Sequence, residues 1–161
     1  PMKSPIPPLL ATTLLCGGAA HAPTVANSPL AGTWAVDVSR LYLPPQARPR
    51  SVTVSFAQPD GARWATRVEV VDGGGNSLVA EGSTLLDGTP APVSGNLEAD
   101  LSATTLPAPG VLVMQLSKGG VPGSTRIYTA SADGQRMTET AAYFTDDGRP
   151  VVRTHHFSRV R

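Results

Sequence analysis

"SADGQRMTETAAYFTDDGRP", residues 131–150, sets two Asp-Gly pairs on either side of a Thr-rich stretch with Glu139 near its middle. Its side chains alternate, and a period of two is that of a strand, whose successive residues point to opposite faces. Each Asp-Gly pair supplies a type I turn followed by a left-handed glycine, the chemistry of a short hairpin loop. The segment therefore reads as one strand between two hairpin turns. Whether Glu139 points into a core or into water separates a binding barrel from a structural module.

The same grammar runs outward from this stretch. "SVTVSFA" (51–57) sets Val52, Val54 and Phe56 on one face, and "RWATRVEVV" (63–71) sets Trp64, Thr66, Val68 and Val70 opposite Arg63, Arg67 and Glu69. "VLVMQL" (111–116) does the same with Leu112, Met114 and Leu116. Further turns are read at "QPDGA", "DGGGN" (72–76) and "KGGV" (118–121). Strands are expected near 32–39, 51–57, 62–71, 77–86, 91–94, 99–105, 110–117, 124–131, 135–144 and 150–159. No segment after residue 23 carries a helical period. Sequential hairpins without helices imply an all-β, antiparallel up-and-down barrel of about eight to ten strands, closed so that no edge is left bare. "LYLPPQARPR" (41–50) reads as a Pro-rich crossing loop, and 85–101 is the least regular stretch.

Register decides which side chains point inward, because a one-residue slip turns every side chain over. A three-residue loop at Pro59-Asp60-Gly61 pairs Phe56 with Trp64, Val54 with Thr66 and Val52 with Val68, so the apolar faces coincide. The same rule at Ala132-Asp133-Gly134 pairs Ile127 with Glu139. At Asp146-Asp147-Gly148 it pairs Tyr143 with Val151, Ala141 with Arg153, Glu139 with His155 and Met137 with Phe157. One face then carries Ile127, Met137, Tyr143, Val151 and Phe157 around a polar centre of Glu139, Arg153 and His155. The other carries Arg126, Tyr128, Arg136, Thr138, Thr140, Thr154 and His156 and reads as solvent-facing. Glu139 points inward, and as a buried charge it needs Arg153 or His155 beside it. Small residues on the facing strand (Leu78, Ala80, Gly82, Thr84) leave room for a cavity.

The chain of 161 residues supports one domain. Its net charge of +1, without basic blocks, argues against a nucleic-acid binder, which needs clustered Lys and Arg to displace counterions. Residues 1–22 place Lys3 before the apolar "LLATTLLCGGAA" (9–20), the pattern of a secretory signal peptide, with cleavage after Ala20 or Ala22. That run is too short to span a bilayer, so no integral membrane segment is expected in the mature chain. Residues 23–31 are read as a flexible mature N-terminus, 32–161 as the barrel, and the location as periplasmic or secreted. A lipoprotein anchored through Cys16 is the alternative, although Leu15 precedes it where a small residue is wanted. Cys16 is the single cysteine, so the mature chain is expected without disulfides. His155 and His156, adjacent on a strand, point to opposite faces and cannot share an ion; no metal and no cofactor are expected. No nucleophile can be placed beside Glu139 and His155 by spacing, so the chain is not read as an enzyme.

"LAGTWAVDVSR" (30–40) and "SADGQRMTETAAYFTDDGRPVVRTHHFSR" (131–159) resemble small exported bacterial proteins of unknown function described as lipocalin-like, calycin-type barrels. The resemblance covers about residues 30–160. It implies that Gly32 and Trp34 form the structural barrel motif, the Trp closing one end beneath a basic side chain, Arg159 or Arg161. The chain departs from true lipocalins in lacking their Thr-Asp-Tyr motif and C-terminal helix. Two functions remain open. The first is binding of a small, mostly apolar ligand, oriented by Glu139, Arg153, His155 and Tyr143 in a cavity lined by Val54, Val68, Met114 and Ile127. The second is a structural or protein-interaction module with a filled core. A monomer is expected in either case.

Overall fold

Because most strands carry their larger apolar residues on one side, the sheet curls until those sides meet. The computed structural model describes residues 27–95 and 98–160. Its strands are β1 Gly32–Val36, β2 Ser51–Ala57, β3 Arg63–Val71, β4 Ser77–Leu85, β5 Ala91–Ser94, β6 Leu101–Ala108, β7 Val111–Lys118, β8 Val121–Ala130, β9 Arg136–Phe144 and β10 Pro150–Arg159. Each pairs antiparallel with the next, and β1 pairs with β10, giving a closed ten-stranded up-and-down barrel of the class the alternation implies. Among the described residues, helix is limited to the 3-10 turns Val38–Arg40 and Pro45–Ala47, both within the β1–β2 connection. No described helix is long and apolar enough to cross a membrane. The signal-peptide segment and Cys16 lie outside the described residues.

One end of the barrel is filled. Leu30, Trp34, Trp64, Leu112 and Met137 are wholly or almost wholly buried there. Phe56 packs 5.3 Å from Trp64 and meets Tyr128 edge-on at 5.0 Å. Leu30 precedes β1, so packed structure begins before Gly32, within the stretch read as a flexible lead-in. The Trp34 indole donates to the Leu30 carbonyl at 2.8 Å, and the Arg159 guanidinium lies 4.1 Å over its ring. Arg159 also donates to the carbonyls of Gly134 (2.6 Å), Ala31 (2.9 Å) and Pro29 (2.6 Å). Gly32 has φ +130°, and a Cβ there would stand 2.3 Å from the guanidinium. Glycine at this position is what lets Arg159 reach across the seam.

The three Asp-Gly loops differ, and the differences set the faces. At β9–β10 the loop closes from Thr145 to Arg149 with Gly148 left-handed, and the pairs Tyr143–Val151, Glu139–His155 and Met137–Phe157 form as expected. At β2–β3 the expected pairs are displaced by two residues: Val54 faces Val68 and Phe56 faces Thr66. Asp60 accepts from the backbone of both Ala62 and Arg63, and the Ala62 carbonyl is taken by Leu86, which lengthens the turn. A two-residue slip leaves the faces intact.

At β8–β9 the expectation is overturned. Tyr128 faces Glu139 and Ile127 faces Thr140. Gly134 is left-handed, but the Gln135 carbonyl accepts from the Arg159 backbone N–H at 3.0 Å, so Gln135 belongs to the β10 ladder. β8 therefore rejoins at Ser131 and Arg136, one residue later than a three-residue loop allows. That residue turns β8 over: Ile127 moves to solvent at 38% exposure, while Arg126 and Tyr128 move inward.

Candidate functional site

Beyond the aromatic floor the barrel is hollow. A cavity of about 400 Å³ occupies the half nearer the β1–β2 connection. Its walls are mostly aliphatic: Val36, Val52, Val54, Val68, Val70, Met114 and Leu116. Ala80 and Gly82, as their size implied, leave space along β4. Leu41, Leu43 and Pro49 of the Pro-rich connection close over it. Residues from both faces of β4, Leu78 and Val79 among them, border the cavity, because β5 pairs only with Glu81 and Gly82. The hollow thus extends sideways past β4 toward Gly95 and Glu98.

One polar cluster interrupts this lining. Glu139, 3% exposed, receives His155 Nδ1 at 2.9 Å on Oε1 and Arg126 Nη1 at 3.4 and 3.3 Å on its two oxygens. The other Arg126 nitrogens reach Glu98 (2.5 Å) and the Ser124 hydroxyl (3.1 Å). Burial alone would raise the Glu139 carboxyl; the His155 hydrogen bond, the Arg126 charge and the Tyr128 hydroxyl outweigh it and hold the group below the usual carboxylate range. Burial and the Glu139 charge push the Tyr128 phenol well above its ordinary value, so it stays a donor. Burial opposes the Arg126 charge, but Glu139, Tyr128 and Glu98 prevail and keep it charged. The cluster is an ionised carboxylate held by two donors, His155 and Arg126, next to the Tyr128 phenol.

The residues singled out from sequence divide between two places. Glu139 and His155 stand together at the cavity wall with Val54, Val68 and Met114. Arg153 does not pair with Glu139, which takes Arg126 instead. The Arg153 guanidinium lies 4.9 Å over Tyr42 and 6.0 Å from Tyr143, and none of these three lines the cavity. Ile127 lies outside the cavity, its place taken by Arg126 and Tyr128. Tyr42 also meets the His155 ring edge-on at 6.0 Å, so the Pro-rich connection is fastened over the cluster. Sequence reasoning missed Arg126, Tyr128 and Tyr42. One signal was present for the first: an inward Glu139 needs a cation, and Arg126 is the basic residue on the strand beside it. Among the described residues, no group of three or more His, Cys, Asp or Glu could hold a metal ion; His155 borders the cavity and His156 does not.

No family model and no curated protein matches the chain. Solved structures do. Crystal structures of two single-substitution mutants of the fluorescent protein UnaG superpose with TM-scores of 0.54 and 0.55. Each is 16% identical, and each match covers 83% of this chain and 97% of the other. At that identity the likeness is one of fold, a closed antiparallel β-barrel.

Proposed function

We propose that this barrel binds a small, mostly apolar ligand whose polar end sits against Glu139, Arg126, Tyr128 and His155. The observation that carries the reading is the apolar hollow of about 400 Å³ with one ionised cluster in its wall. Ligand pockets have this size and this composition, a largely apolar lining with a few placed polar groups. A module stabilised by its core alone would fill the space, since protein interiors pack nearly without voids. Arg153, Tyr143 and Tyr42 act outside the cavity, where they hold the connection over the bound ligand. The function is binding rather than catalysis. Export belongs to the same proposal: residues 1–22 direct the chain to the periplasm or beyond, where it works as a monomer without a lipid on Cys16.

Native mass spectrometry on protein purified gently from its own host tests the binding, alongside uptake of anilinonaphthalene sulfonate. The expected result is a discrete adduct or one-to-one dye binding, both lost in Met114→Trp, which fills the hollow while the barrel still melts cooperatively. A bare mass together with dye uptake indifferent to Met114→Trp would return the chain to the structural module. N-terminal sequencing of the exported protein tests the signal, which fails if Lys3 is retained.

A further inference from the structure

Of the side-chain nitrogens in the polar cluster, one has no hydrogen-bond partner among the described residues. Each Arg126 nitrogen already has a partner: Nη1 on Glu139, Nη2 on Glu98 and Nε on Ser124. Glu139 accepts from His155 and Arg126. His155 engages Glu139 through Nδ1, and no hydrogen bond is formed by its Nε2 among the described residues. Nor is Nε2 sealed in the wall: among the described residues the only sealed, unpartnered side-chain N or O atom is the Trp64 indole nitrogen. His155 borders the cavity and is 22% exposed.

The protonation of that atom follows from its neighbour. Glu139 is ionised and a carboxylate can only accept, so the proton of the neutral imidazole must lie on Nδ1. In that tautomer Nε2 carries the lone pair, on a ring that borders the apolar cavity. A ligand O–H or N–H would satisfy it. An ether, ester or ketone oxygen would meet it lone pair to lone pair. A carboxylate would meet the same repulsion, beside the Glu139 carboxylate that already holds Arg126. We infer that the ligand is an amphiphile whose head is a hydrogen-bond donor, an alcohol or an amide-type N–H, accepted by His155 Nε2 in a tautomer fixed by Glu139. This rests on the binding reading above and names its ligand class.

Calorimetric titration of the full chain with decanol, decyl methyl ether and decanoate, at about pH 8.5 where free imidazole is neutral, separates the possibilities. Decanol should bind about tenfold or more tightly than either relative, the discrimination a site built for a donor shows against an analogue without one. His155→Phe should erase that preference. His155→Gln, which offers an amide donor to Glu139 and an acceptor beside it, should restore it. Should the Phe variant fail to fold, nitrogen-15 shifts of the wild-type ring decide. Nε2 must report an unprotonated nitrogen that moves on adding decanol and stays on adding the ether. Equal binding of decanol and ether, tighter decanoate, or a proton on Nε2 would overturn the head-group assignment and leave the binding site standing. Failure of all three to bind would overturn both.

Discussion

Replacing Arg126 by Met should cost this barrel more than replacing Glu139 by Gln, although both changes cut the same ion pair. The two partners differ in burial: Glu139 is 3% exposed and Arg126 24%. At 3.3 Å and an effective dielectric constant of about 20 the pair is worth roughly 5 kcal/mol of Coulomb energy, most of it spent on desolvating the two charges. Arg126→Met keeps the apolar stem and strands the better-buried carboxylate, leaving it the His155 hydrogen bond. Breaking a buried pair this way costs about 3–5 kcal/mol, and the remaining donor places the expected loss at its lower end, about 3 kcal/mol. Glu139→Gln instead leaves Arg126 with Glu98 and a path to water, an expected loss of about 1 kcal/mol. Urea unfolding at neutral pH, followed by tryptophan fluorescence, measures both, and the double variant should lose less than the two single losses summed. A Glu139→Gln variant as unstable as Arg126→Met would refute the argument that unequal burial governs the pair.

Three further outcomes follow from particular contacts. The folded Glu139 carboxyl lies below its ordinary value of 4.5, so its contribution to stability is complete above that pH and is lost as pH falls through the folded value. Urea midpoints measured from about pH 6 down to about pH 3 should fall more steeply in the wild type than in Glu139→Gln, and parallel curves would contradict the assignment. Trp64→Phe should cost about 1 kcal/mol or less, because the lost volume is offset by removing a buried, unpartnered N–H, whereas Trp34→Phe forfeits the Leu30 hydrogen bond and the Arg159 stack and should cost about 3 kcal/mol. Thermal melts compare the two. Ile127→Lys should be tolerated within about 0.5 kcal/mol, while Tyr128→Lys should fail to give folded protein; the reverse result would restore the register expected from a three-residue loop.

Much of the barrel was legible because its strands obey a single rule of alternation. The inward sides of β2, β3 and β7 follow from period two alone, and those of β9 and β10 from the pairing that the Asp-Gly loop dictates. β8 escaped that logic for a local reason. "STRIYTA" carries polar and apolar residues on both of its faces, so its own pattern does not choose a side. The choice is made by Gln135, whose carbonyl is claimed by a strand on its other flank, and a short-range reading of Ala132-Asp133-Gly134 cannot anticipate that. The candidate site inherited the error: Glu139 and His155 were found through the well-behaved hairpin, while Arg126 and Tyr128 were lost with β8. Tyr42 lies in a Pro-rich connection whose composition announces a crossing but carries no register. Gly32 and Trp34 could be named as a motif, yet the reason for the glycine appears only when Arg159 is seen passing through the space its side chain would fill.

The Arg159 clasp joins parts of the chain 130 residues apart, and that separation orders the events of folding. Nearly every other strand pairing is a hairpin between neighbours and closes a short loop, whereas the β1–β10 seam closes almost the whole domain at once. The seam is therefore the late step. Until it forms, β1 and β10 both present bare edges open to pairing with other chains. His155 and Phe157 lie on β10 and Val36 on β1, so the cavity wall has no existence before the seam closes. A molecule that fits the hollow can recognise only the finished barrel. It stabilises that state without lending anything to the half-made sheets that precede it.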